Sequence, residues 1–174
     1  VKNKIWKVFY FICLTILFSF DRCFGNVTEL RGKIEKEKYD SSMRLEKIFK
    51  ENLSDNFTYT IVPRGLIITI DNSLLFEPKS AVLLDSAEKI LSELGNTIKN
   101  LNKNCVIEGN TLIFDDSMQN MLLTIERSQN IAEFLTKNCG IDSLSIRSLG
   151  FGNINPPENN IKIFERIDIV ILNY

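Results

Sequence analysis

The sequence predicts an α/β sandwich, with helices packed on one face of a mixed sheet, behind an N-terminal export segment. Three observations predict it. First, the apolar residues switch between a period of two and a period of 3.6, in the order hairpin, helix, strand, helix, strand, strand. Second, strands joined through helices imply βαβ units with right-handed crossovers. Third, 174 residues, 44% hydrophobic and 25% charged, suit one domain with a real core plus short extras.

The N-terminus stands apart by charge. Residues 1–26 hold Lys2, Lys4, Lys7 and Arg22 against Asp21, a net +3. The chain as a whole sums to −1, which leaves −4 for the remainder. The three lysines precede the uncharged run Val8–Phe20 (VFYFICLTILFSF), the length of a secretory hydrophobic region. A membrane span needs about 20 such residues. Residues 1–25 are therefore read as a signal peptide, with Cys23 and Gly25 as the small residues before a cleavage site. An uncleaved anchor over residues 5–20 and a lipoprotein acylated at Cys23 remain open, although Asp21-Arg22 stands where the latter wants small residues.

Residues 26–56 read as a helical spacer whose apolar positions (Val27, Leu30, Ile34, Leu45, Ile48, Phe49) leave a gap in the middle. The domain proper is expected over 57–174. Phe57–Val62 and Leu66–Asp71 flank Pro63-Arg64-Gly65, a hairpin signal. Ser80–Leu101 is helical, with Leu83, Ala87, Ile90, Leu91, Leu94, Ile98 and Leu101 on one face. Cys105–Glu108 is a short strand. Met118–Asn138 is a second amphipathic helix, expected to bury Met118, Leu122, Ile125, Ala132 and Leu135 and to stop at Cys139-Gly140. Ser143–Leu149 reads as a strand, Gly150–Gly152 and Asn155–Pro157 as loops. Ile161–Leu172 closes the chain as a strand able to pair antiparallel, with Ile167, Ile169 and Ile171 alternating.

Function classes narrow by exclusion. Histidine is absent, so no Ser-His-Asp or Cys-His machinery exists, and the commonest metal ligand and general base is missing. No nucleophile–base pair, metal motif or phosphate-cradling glycine loop is present in the sequence. A non-enzymatic protein without metal or cofactor is expected. The charge balance gives no reason to expect nucleic acid.

Five segments, in order, carry a resemblance: Gly65–Leu83 (GLIITIDNSLLFEPKSAVL), Val106–Thr111 (VIEGNT), Leu123–Ser128 (LTIERS), Gly150–Pro156 (GFGNINP) and Arg166–Ile169 (RIDI). Together they resemble the OmpA/MotB C-terminal domain, a periplasmic module that binds peptidoglycan. The likeness spans Leu66–Leu172 and implies a βαβαββ fold. In that family the Asp ending "GHTD" and the Arg of "LSxxRA" grip the diamino acid of the wall's stem peptide. A carboxylate takes its ammonium, and a guanidinium takes its carboxylate in bidentate fashion. By this resemblance Arg127, Asn120, Thr111 and Arg166 are candidate ligand residues.

The chain departs from the pattern at three places. Asn110 replaces the motif histidine, Leu112 stands where the acid belongs, and Phe164-Glu165 replace the Asn and first Arg of "NRR". Losing one charged hydrogen bond costs about 1.5–3 kcal/mol, roughly tenfold to a few hundredfold in affinity. Asp115 and Asp116 are possible substitute acids, equally readable as solvated loop acids, with Glu108 a further candidate on its strand. Arg127 is equally readable as a structural ion-pair partner, Arg166 as a salt-bridge partner of Asp168, and Asn120 as a helix cap. Leu112 and Phe164 would form an apolar patch where the family's groove is polar.

Cys105 and Cys139 fall at the same end of one βα unit, so an exported domain could join them by a disulfide; a buried thiol pair is the alternative. Two functions follow. One is an exported envelope protein, periplasmic and associated with the outer membrane or cell wall, whose domain contacts peptidoglycan through Arg127. The other is a module of the same fold that has lost the wall ligand and binds other envelope proteins. A stator subunit of the MotB kind is disfavoured, because Ile5–Phe20 carries no acidic residue.

Overall fold

The computed structural model describes the backbone of residues 2–154 and 164–173, and side chains from residue 27 onward. The elements are α1 (Lys2–Asn52), β1 (Thr58–Val62), β2 (Gly65–Asp71), α2 (Asp85–Leu101), β3 (Cys105–Asn110), α3 (Ser117–Lys137), β4 (Ile146–Gly152) and β5 (Arg166–Leu172). The expected Asn155–Pro157 loop and the first residues of the last strand, 161–163, lie outside the described residues.

Two compact units divide the chain, Val1–Lys38 and Tyr39–Tyr174. The first is helical and carries exposed Val27, Leu30 and Ile34 with the i,i+4 ion pairs Arg31–Glu35 and Lys33–Glu29. Pairs of that kind support a solvated helix by a few tenths of a kcal/mol each. Side chains of the run Val8–Phe20 lie outside the described residues. Among the described residues no helix is long and apolar enough to cross a membrane.

The second unit begins inside the segment read as a spacer. Leu45 and Phe49, one helical turn apart on α1, are buried in the core with Phe57 and the inward residues of the sheet. Ser42 at the same face exchanges hydrogen bonds with the Asn173 side chain. The sheet order is β1-β2-β5-β3-β4. β5 pairs antiparallel with β2 and β3, while β3 and β4 pair parallel across the α3 crossover. Leu66, Ile68 and Ile70, Ile167, Ile169 and Ile171, and Cys105 and Ile107 all join this core. Strict alternation fixes this register, since a one-residue slip would turn the whole set to the other face.

Gly65 closes the first hairpin at φ +152°, with a backbone conformation and a neighbouring Ile171 carbonyl that exclude a side chain. The opposite face of the sheet is held by charge. Arg64 grips the buried Glu108 carboxylate through two bonds of 2.6 and 2.8 Å. Arg166 donates to Asp168 at 2.8 Å, and Thr69 donates to the same carboxylate at 2.6 Å.

Five expectations are corrected, the first being the loop read at Gly150–Gly152, which completes β4 by pairing with Gly109 and Asn110. The helix expected from Ser80 starts at Asp85, because the Ser80 and Ala81 carbonyls accept from Arg127 Nε and Asn130 Nδ2 instead of from helical amides. The last strand starts at Arg166, since Phe164 is buried and Glu165 turns its carboxylate inward to Leu112 and Thr111. That burial of Phe164 also removes the expected exposed patch. The buried face of α3 is rotated: Met118 and Leu122 are exposed, while Asn120, Thr124, Arg127 and Ser128 are buried. The cause is close approach. A Cβ on Gly109, Gly150 or Gly152 would fall within 3 Å of α3 backbone or Thr124 atoms, so only small residues fit between helix and sheet. Of the two readings left open for Cys105 and Cys139, the structure has the buried thiol pair. Cys139 faces α2, its sulfur against Gly95 and 3.9 Å from the Leu91 carbonyl, rather than across to β3.

Candidate functional site

The strand ends of the α/β sheet gather the family-motif residues at one end of the domain. Three local structures build this end. Asp71 caps a single 3-10 turn, Asn72–Leu74, by accepting from the Ser73 amide at 2.8 Å. That turn orients Asn72, whose backbone N–H donates to the Glu165 carbonyl at 3.0 Å. The segment after β3 is held by Asn120, on the first turns of α3. Its Oδ1 accepts from the Ile113 and Phe114 amides at 3.1 and 3.0 Å, and its Nδ2 donates to the Phe114 carbonyl at 2.7 Å. Asn120 is fully buried, and its amide is committed to this loop.

The glycine-lined contact with β3 and β4 then presents Arg127 inward. Its side chain is only 2% exposed. Nε donates to the Ser80 carbonyl at 2.8 Å, and the guanidinium lies 4.9 Å above the Phe76 ring. Burial pulls the guanidinium pKa down, and the Glu165 carboxylate opposes that shift. Nη1 lies 3.7 Å from Glu165 Oε2, and it has no hydrogen-bond partner among the described residues.

Glu165 is the residue that sequence reasoning missed. Its carboxylate accepts from the Leu112 amide at 2.6 Å, from Thr111 Oγ1 at 2.7 Å, and from Asn72 Nδ2 at 3.3 Å. Position 112 carries no acid, and the carboxylate at this end of the domain comes from the entry to β5 and sits on the Leu112 amide. The only signal was that two of the departures from the motif, Leu112 and Glu165, occur together.

A cavity of about 420 Å³ opens beside this cluster. Arg127, Glu165, Asn72, Phe76 and Ile113 line it, with Asp71, Glu77 and Lys79 among its other residues. Lys79 takes a left-handed conformation, φ 57°, and its ammonium lies 5.9 Å from the Phe114 ring. Of the residues proposed from the sequence, the structure brings Arg127 and Thr111 together. Arg166 points instead to Asp168 and is not part of the cavity lining. Asp115 and Asp116 are exposed and do not line the cavity either; Asp116 caps α3 by accepting from the Met118 amide at 2.8 Å. Glu108 is engaged by Arg64.

The chain matches the OmpA family model over residues 75–166. No curated protein matches it. Among solved structures it is similar to a MotB-like protein from Desulfovibrio vulgaris, at 18% identity and TM-score 0.69, over 83% of this chain and 96% of that one. It is also similar to the cell wall anchor of the T6SS from Pseudomonas aeruginosa, at 15% identity and TM-score 0.60, over 72% and 94% of the two chains. An outer membrane protein from Borrelia burgdorferi aligns at 22% identity and TM-score 0.55, over 67% and 96%. At such identities the likeness is one of fold.

Proposed function

The chain belongs to the OmpA family, and on that premise we propose that it is a non-enzymatic cell-envelope protein whose domain contacts peptidoglycan through the Arg127 cavity. One observation carries this reading. A guanidinium 2% exposed, with Nη1 lacking a hydrogen-bond partner, borders a cavity large enough for a peptide fragment. A buried cationic donor left unmatched is costly, and it is tolerated where a ligand completes it. The cell wall anchor among the similar folds supports the placement in the envelope. In this reading residues 1–25 direct export, residues 26–38 connect them to the domain that begins at Tyr39, and the domain works in the periplasm.

A pull-down on purified sacculi tests it. The full chain is expected to sediment with sacculi, Arg127→Ala to lose at least tenfold in binding while keeping its circular dichroism, and soluble stem peptide to compete. Failure of the wild type to sediment refutes the reading.

The second reading, an interaction module that has lost the wall ligand, is favoured by Leu112. Its structural test is sharper than a single restoration. Leu112→Asp alone would set a second carboxylate beside Glu165, whose oxygen sits on the Leu112 amide. The double variant Leu112→Asp/Glu165→Arg restores both motif charges. If the module reading holds, wild type does not bind sacculi and the double variant does.

A further inference from the structure

Four donors converge on one point of the domain. They are the Leu112 amide, the Thr111 hydroxyl, Asn72 Nδ2 and Arg127 Nη1. Backbone amide, hydroxyl, carboxamide and guanidinium around one locus make a carboxylate receptor. We propose that this receptor is filled from within by Glu165, a resident carboxylate that an external carboxylate must displace. This deepens the wall-contact reading and rests on it for the natural ligand, but not for the existence of the receptor.

The geometry shows an imperfect occupant. Glu165 makes short bonds to Leu112 and Thr111 at 2.6 and 2.7 Å, yet its approach to Arg127 stops at 3.7 Å without a hydrogen bond. Both Glu165 oxygens share the Thr111 hydroxyl, which has a single proton to give. The strongest donor of the set is therefore the one Glu165 uses least. An incoming carboxylate that closes on Nη1 gains the charge-assisted bond that Glu165 forgoes. Access exists, because the Glu165 side chain is 23% exposed and borders the 420 Å³ cavity.

The energetic consequence is competition in cis. A tethered group competes with an effective concentration of about millimolar or more. The external ligand's apparent affinity falls by the fraction of molecules in which the receptor is vacant. Wild type is thus a weak receptor, and removing Glu165 strengthens it. The opposite assignment makes Glu165 the acid that grips a ligand ammonium. In that case its removal weakens binding.

The test uses the full ¹⁵N-labelled chain in detergent and N-acetylglycine as the probe, at constant ionic strength. The Leu112 amide and Arg127 Nε–H signals are followed. Glu165→Ala is expected to give a saturable shift at both signals, with an apparent affinity at least tenfold tighter than wild type. The neutral N-acetylglycinamide is expected to give none, and Glu165→Ala/Arg127→Ala to lose the response. Glu165→Gln, isosteric and uncharged, serves if the alanine variant does not fold, and it carries the same direction with a smaller gain. Wild-type or weaker affinity in the folded variant overturns the proposal, as does an equal response to the neutral probe. Probe binding by Glu165→Ala without sacculus binding by wild type leaves the receptor standing and removes only the wall as its ligand.

Discussion

Gly150→Ala tests how α3 is placed on the sheet, and with it the position of Arg127. A Cβ at Gly150 would lie 2.4 Å from the Ile125 amide nitrogen, 2.6 Å from Ile125 Cγ1 and 2.8 Å from Thr124 Oγ1. Ordinary contact needs about 3.5–4.0 Å, so α3 must retreat by roughly 1 Å. The nearest atom is backbone, which cannot rotate away as a side-chain tip can. Gly150 has no positive φ among the described glycines, so the cost is steric and not conformational. Overpacking a close-packed core costs about 1–3 kcal/mol, and a backbone collision belongs at the upper end. With a urea slope of about 2 kcal/mol per molar for a small domain, the midpoint should fall by about 1–1.5 M. Urea titration followed by far-ultraviolet circular dichroism measures it. Gly32→Ala is the control: nothing lies within 4 Å of its added Cβ, and alanine should favour the helix by about 0.5–1 kcal/mol. If Gly150→Ala keeps its midpoint within about 0.3 M of wild type, the close-approach account of α3 is wrong.

Three further outcomes are expected. Asn120→Ala removes three hydrogen bonds that hold the loop after β3, and should cost about 2–3 kcal/mol while speeding amide exchange at Ile113 and Phe114; unchanged exchange there would contradict the loop-holding role. Burial pushes the Cys105 thiol up to about 12 from 9.0, and burial raises Cys139 against the opposing pull of Lys99. Neither thiol should react with a disulfide reagent at pH 8 until the protein unfolds, when both should. Between pH 9.0 and about 12 the unfolded Cys105 ionises and the folded one does not. The folded state then holds the extra proton, so stability falls as pH rises, by up to about 1.4 kcal/mol per unit. Cys105→Ala should remove that slope; an identical pH profile for the variant would refute it.

Local pattern sufficed for the elements whose burial is periodic and apolar. The alternation Ile167, Ile169, Ile171 and the face Ala87, Leu91, Leu94, Ile98 are buried as their spacing requires, because a period of two or of 3.6 leaves one way to hide them. Glycines at 109, 150 and 152 were legible as residues but not as a floor for α3. Their effect depends on which helix crosses them, so the helix face was misjudged and Thr124 and Ser128 were not recognised as core. The start of α2 was misjudged for a related reason: Arg127 and Asn130, about 50 residues away, take the carbonyls that a helix would have used. Both are contacts between distant segments, and no local period encodes them.

The missing histidine at first marked what the protein does not do, and the resemblance added Arg127 and the absent acid at 112. By itself the sequence determined the strand and helix order, the membership of its fold class and Arg127 as the candidate ligand cation, since these follow from spacing and motif. Only the tertiary structure decided what the Glu165 carboxylate meets. Leu112 and Glu165 are 53 positions apart, yet β5 lies beside β3, and the turn before β5 brings the Glu165 carboxylate onto the Leu112 amide. A carboxylate acts through the distance and direction of its oxygens, and those are set by packing, not by its place in the chain.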